Sequence, residues 1–167
     1  MPIYVDADAC PVKEEIYRLA RRRGVKVLVV SHGPLHVPPR VAGDGRVEAV
    51  RVARGFGAAD DWIAERAGRD DIVVTADIPL AARCLANGAR VLSPTGQPFA
   101  EDSIGDALAT RELMDQLRQS GLPAGGPAPF SAADRSRFTS RLGEMIDSVM
   151  RKAPSGPPPD GQSPPRC

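Results

Sequence analysis

The chain has 167 residues, enough for one domain with a substantial core, and its composition (42% hydrophobic, 26% charged) is ordinary for a soluble globular protein. A net charge of +1 gives no overall field for a nucleic acid or a membrane surface, so any such contact must come from a local patch. No apolar run reaches the ~18 residues of a membrane span, and Met1 to Ile3 opens a strand rather than a signal peptide. Three cysteines (Cys10, Cys84, Cys167) without metal spacing suit a reducing cytosol, so the expectation is a cytoplasmic protein with no membrane partner.

The first predicted element is a buried strand from Ile3 to Asp6 or Asp8. Pro11 suits the first turn of a helix, where its missing N–H costs nothing. Val12, Ile16, Leu19 and Ala20 then recur on one helical face, and Arg21 to Gly24 closes the helix with cations and a glycine. Val25 to Val30 is almost continuously apolar and reads as a central strand. His32 to Arg46 is rich in proline and glycine and reads as a loop, and Val47 to Val52 alternates like an edge strand. Gly55 to Ala59 leads into a helix with Ala59, Trp62, Ile63 and Ala67 on its apolar face. Asp71 to Thr75 is a strand, Pro79 to Asn87 a helix stopped by Gly88, and Val91-Leu92 a last short strand.

The remainder reads as a helical extension over 101–150. One helix runs from Ser103 to Gln119 with Ile104, Ala107, Leu108, Leu113, Met114 and Leu117 inward. A second runs from Ser131 to Met150 on Phe138, Leu142, Met145, Ile146 and Val149, with Ser131 and Asp134 placed like a capping box. From Ala153 on, six of the last 15 residues are proline and none is a large apolar, the composition of a disordered tail. The alternation of strands and helices implies an α/β fold, a mostly parallel sheet with helices on both faces.

That topology makes a chemical prediction. Asp6 and Asp77 end parallel strands and lie at the carboxyl edge, where open α/β sheets place their chemistry. Asp60 and Asp61 start the helix leading back to the Asp77 strand, and a right-handed crossover brings that start to the same edge. Asp8 follows Asp6 closely, whereas Asp70 and Asp71 precede their strand and fall on the opposite edge. Like charges so gathered raise one another's pKa unless neutralised. Oxygen-only ligands suit Mg²⁺ or Mn²⁺ rather than zinc. The expected metal ligands are Asp6, Asp60, Asp61 and Asp77, with Asp8 tuning a water or binding a second ion, and Lys13 and Arg111 as substrate-binding cations. The structural alternative is capping: Asp60, Asp61 and Asp77 all stand where helix starts favour acids.

Three stretches carry a family resemblance: Tyr4 to Lys13, Gly57 to Ile63, and Asp71 to Leu80, with Gly125 to Pro127, Phe130, Asp134 and Arg135 fitting too. Together they resemble the YaiI/YqxD family of uncharacterised bacterial proteins over residues 3 to 147. More broadly the chain resembles PIN-like nucleases, which implies a three-layer α/β domain gathering acids around Mg²⁺ or Mn²⁺. Ala58 to Asp61 resembles a Glu-Ala-Asp-Asp motif, and Thr75 to Asp77 a Thr-Gly-Asp-x-Asp motif, of bacterial 5′-nuclease domains. Ala58 replaces the Glu and Pro79 the second Asp, which points to one metal rather than two, or to binding without cutting.

The resemblance implies a metal-dependent nuclease acting on RNA or another nucleic acid. Two rival readings stand beside it. Asp6-x-Asp8 also resembles the first motif of haloacid-dehalogenase-type phosphatases, with Asp6 as nucleophile, although the order of the later motifs is wrong for them. A non-catalytic RNA-binding module would use Arg21, Arg22, Arg23, Lys26, Arg51 and Arg54, but aromatics are only 4% of the chain, too few for a platform of several rings. His32 and His36 are separated by Pro34 and are not a zinc pair, and Cys10 lacks a patterned histidine partner. Nothing in the pattern specifies an oligomeric state.

Overall fold

The computed structural model describes residues 1–152 except Ala9, Asp44, Arg54, Ala124 and Pro127. The proline-rich segment from Ala153, expected to be disordered, lies outside the described residues, as do Arg54 and Pro127. The elements in order are β1 (Pro2–Asp6), α1 (Lys13–Arg23), β2 (Lys26–Ser31), α2 (Pro39–Ala42), β3 (Val47–Arg51) and α3 (Ala58–Arg66). They continue with β4 (Ile72–Val74), α4 (Ile78–Ala86), β5 (Arg90–Leu92), β6 (Pro98–Phe99), α5 (Ile104–Gln119) and α6 (Ala132–Lys152).

One sheet in the order β3-β2-β1-β4-β5-β6 organises the chain, with parallel pairing throughout except for antiparallel β6. The pleat sends alternate residues to opposite faces. Ile3 and Val5 of β1, with Ile72 and Val74 of β4, join a cluster containing Ile16 of α1 and Phe138, Leu142 and Ile146 of α6. Tyr4 and Val73, between them, join the opposite cluster with Ile63 of α3 and Leu80 of α4. The result is the three-layer α/β arrangement that the PIN-like resemblance implies. α1 ends on Gly24, whose φ of 68° is the left-handed conformation that a glycine adopts without strain.

α6 is held to α1 by charge as well as packing. Arg23 donates from Nε and Nη2 to the two carboxylate oxygens of Asp147 at 2.6 and 3.0 Å. Arg135 donates from Nη1 to buried Glu15, whose other oxygen, Oε2, has no hydrogen-bond partner among the described residues. The capping box is formed: the Asp134 amide donates to Ser131 Oγ at 3.1 Å and the Ser131 amide to Asp134 Oδ2 at 2.9 Å.

Several boundaries differ from the expectation. β1 stops at Asp6, so Asp8 lies in the following turn. α1 starts at Lys13 rather than around Pro11, because fully buried Val12 anchors the entry and Lys13 Nζ pins the turn by donating to the Ala7 carbonyl at 3.0 Å. The loop after β2 contains the single-turn helix α2. β6 is too short to show a period in sequence and supplies the one antiparallel pairing. None of the residues of α5 expected to face inward is buried, and Leu113 is exposed. The principal packing partner of α5 is α4, so only one flank of the helix is covered.

Truncating Phe138, fully buried between α6 and the sheet, should therefore cost about 3–5 kcal/mol in urea denaturation, whereas Leu113→Ala on α5 should cost under ~0.5 kcal/mol. A large loss at Leu113 would contradict the one-sided packing of α5.

Candidate active site at the carboxyl edge

β2 and β3 extend from β1 in one direction, and β4 and β5 in the other. The chain reverses its strand order between β1 and β4, and a crevice opens outside the carboxyl ends of strands at such a point. Asp6 ends β1 there, and Thr75 follows β4 directly beside it, because the strands pair Val5 with Val74. Thr75 Oγ1 donates to Asp6 Oδ2 at 2.9 Å. The Asp77 amide donates to Thr75 Oγ1 at 3.0 Å, and Asp77 Oδ1 accepts from the Leu80 amide at 2.9 Å. Asp77 is thus the N-cap of α4, and its other oxygen lies 3.5 Å from Arg111 Nη1. The capping alternative holds for one of its oxygens.

Asp60 comes from the first turn of α3, which Gly57 introduces in the left-handed conformation at φ 73°. A cleft of about 310 Å³ gathers Asp6, Asp8, Asp60 and Asp77 with His32 and the stretch from Gly55 to Ala59. Burial, and then the charges of Asp77 and Asp6, push the Asp60 carboxyl up to about 6 against the opposing pull of Arg83. Asp6 is also raised, chiefly by burial, while the hydrogen bonds from Thr75 and the Asp8 backbone work the other way.

Other predicted site residues are placed differently. Asp61 turns away: its Oδ1 accepts from Arg83 Nη1 at 2.8 Å, and it lines a separate shallow groove with Trp62 and Arg66. Successive helix residues point about 100° apart, so Asp60 and Asp61 do not both face one cleft. Lys13 is engaged with the Ala7 carbonyl and does not line the cleft. Arg111 bridges the acids to a groove of about 490 Å³ between α4 and α5, lined by Pro79, Leu108 and Gln116 among others. Asp71, before β4 and away from the cleft, accepts at Oδ2 from the Gly68 amide at 3.1 Å. Burial pushes the Cys10 thiol up to about 11, the opposite of an activated nucleophile.

Two features of the cleft were not assigned from sequence. His32 Nδ1 stands 2.6 Å from Asp8 Oδ2 at the mouth, and facing a carboxylate that nitrogen carries its proton. The signal was available: β2 runs parallel to β1, so the residue after its end returns to the same edge. The second feature is Phe56, fully exposed on the rim between two glycines.

As arranged here, no group of three or more His, Cys, Asp or Glu side chains among the described residues could hold one metal ion. Apart from the His32 imidazole at the mouth, the side-chain donors lining the cleft are carboxylate oxygens, the ligand type of Mg²⁺ and Mn²⁺.

A profile described as "Uncharacterized BCR, YaiI/YqxD family" matches residues 4–148. The chain belongs to the YaiI/YqxD family. Its relatives in that family include the UPF0178 protein of Azorhizobium caulinodans, 56% identical over 149 residues, covering 89% of this chain and 91% of the relative. The UPF0178 protein of Nitrobacter winogradskyi is 54% identical over 149 residues (89% and 92%), and that of Rhodospirillum centenum 52% over 155 residues (90% and 98%). No solved structure matches. The match takes in every element from within β1 to within α6, and among the described residues no helix is long and apolar enough to cross a membrane.

The raised Asp60 has a measurable consequence. Its carboxyl binds its proton more tightly folded (about 6) than unfolded (3.8), so folding stability is lost as pH rises from 3.8 to about 6 and stays lost above it. With a chelator present, Asp60→Asn should raise Tm at pH 8 and leave it nearly unchanged at pH 4. An equal gain at both values would show that the acids do not strain one another.

Proposed function

We propose that this protein hydrolyses phosphodiester bonds of RNA with the help of Mg²⁺ or Mn²⁺. The observation carrying the reading is that acids from β1, from the start of α3 and from the end of β4 share one cleft, with Asp60 pushed up to about 6. Such a cleft attracts a hard cation, and Mg²⁺ is commonly held by only one or two carboxylates, with waters and substrate phosphate completing its shell. That habit accommodates a site without a three-side-chain chelate. When bound, the ion supplies charge neutralisation, polarisation of the phosphate and a more acidic water.

The protein's own groups then divide the remaining tasks. Asp6 is fixed by Thr75 and Asp77 by the α4 backbone, so neither carboxylate must reorganise to act as a ligand. Asp60, whose carboxyl is raised in the cleft by burial and by Asp77 and Asp6, would take the proton from an attacking water. Arg111, beside Asp77, faces the developing charge on a phosphate. Asp61 supports the site only indirectly, by holding Arg83.

Incubation with mixed-sequence RNA and Mn²⁺ tests the reading. Asp6→Asn, Asp60→Asn and Asp77→Asn should each reduce cleavage by about 10²-fold or more, the usual cost of losing an acid–base or ligand group. Asp61→Asn should leave it nearly intact. Turnover that survives the first three substitutions removes the acids from the mechanism. Phosphate release with a phosphoryl group trapped on Asp6 would assign phosphomonoester chemistry instead.

A further inference from the structure

Phe56 is the one aromatic among the exposed large hydrophobic residues described, and it packs against neither core cluster. Its position is not loose chain. The Ala58 amide donates to the Gly55 carbonyl at 3.3 Å and the Asp61 amide to the Gly57 carbonyl at 2.8 Å, so an ordered turn presents the ring. Gly55 and Gly57 flank it without side chains, leaving both ring faces approachable, and all three residues line the cleft of Asp6, Asp60 and Asp77. A solvated phenyl ring forfeits the burial that stabilises such side chains elsewhere, and neither core cluster of the described residues recovers it.

The acids set the terms for whatever occupies the mouth. A net charge of +1 and a cleft lined by four aspartates give a polyanion little electrostatic attraction there. Affinity at that point must come from a contact indifferent to charge, and a nucleobase offers one in its π-face. In a duplex that face is covered by its neighbours, so the contact is open only to an unpaired base.

We propose that Phe56 stacks on an unpaired base of single-stranded RNA and delivers the neighbouring phosphodiester to the acid cleft. The inference rests on the phosphodiesterase reading above and adds the form of the substrate. A single ring suffices, whereas a platform of several would need more aromatics than the chain has.

Fluorescence anisotropy with a labelled single-stranded oligoribonucleotide, in Ca²⁺ to suppress cleavage, reads the contact directly. Phe56→Ala should weaken binding about tenfold, Phe56→Trp should restore it, and a paired duplex should bind equally weakly to all three proteins. An abasic oligonucleotide of the same length should not distinguish wild type from Phe56→Ala. Wild-type affinity in Phe56→Ala overturns the proposal, as does an equal loss on the abasic strand or no binding by the wild type. If Phe56→Ala binds normally while Asp60→Asn still abolishes cleavage, the phosphodiesterase reading stands without this one. If Phe56-dependent binding is seen without any turnover, the stacking contact stands and the phosphodiesterase reading fails.

Discussion

The pairing of Val5 with Val74 in parallel register is the constraint on which the rest of the site depends. It sets Asp6 beside Thr75 at the end of two buried strands and so permits the 2.9 Å hydrogen bond between them. A slip of one residue would exchange the two faces of β1, driving Tyr4 into the α1–α6 layer and Ile3 and Val5 into the other. The hydrophobic pattern that forbids that slip is therefore also what fixes the acids. Core packing and the geometry of the carboxyl edge are one specification.

The same edge concentrates unfavourable charge. Asp6 and Asp60 are both raised, chiefly by burial, with nearby carboxylates adding to it. Relief reaches these acids only in part: Arg83 engages Asp61 and pulls on Asp60, Thr75 donates to Asp6, Arg111 approaches Asp77, and His32 meets Asp8. Burial and repulsion that outweigh the local compensation are how folds hold electrostatic strain where a ligand will use it. On the α1–α6 face, by contrast, Arg23 and Asp147 form a bidentate pair.

Much of this was legible in the amino-acid sequence, for reasons particular to each element. Buried parallel strands announce themselves as apolar runs, and Asp6 and Asp77 could be placed at one edge because strand direction alone determines it. Asp60 and Asp61 could not be separated by the topology of strands, only by the angular step of a helix. The α5 pattern of Leu108, Met114 and Leu117 implied a buried face, yet amphipathic spacing reports a preference and not the presence of a covering layer. Phe56 sits in a stretch without period, so its place at the cleft depends on contacts across the sheet edge, whereas the direction of β2 suffices to bring His32 there. The reversal of strand order between β1 and β4 likewise has no signature in composition or spacing.

The layer joining α1, the sheet and α6 binds segments far apart along the chain. Its charged pairs span 120 and 124 residues, and Phe138, Leu142 and Ile146 complete a cluster begun by Ile3 and Val5. As the ribosome releases the chain from its amino end, β1 and α1 emerge with one apolar side bare. It stays bare until the codons for α6 have been read. Completion of that half of the sheet therefore waits for α6, and the growing chain carries exposed apolar surface until then.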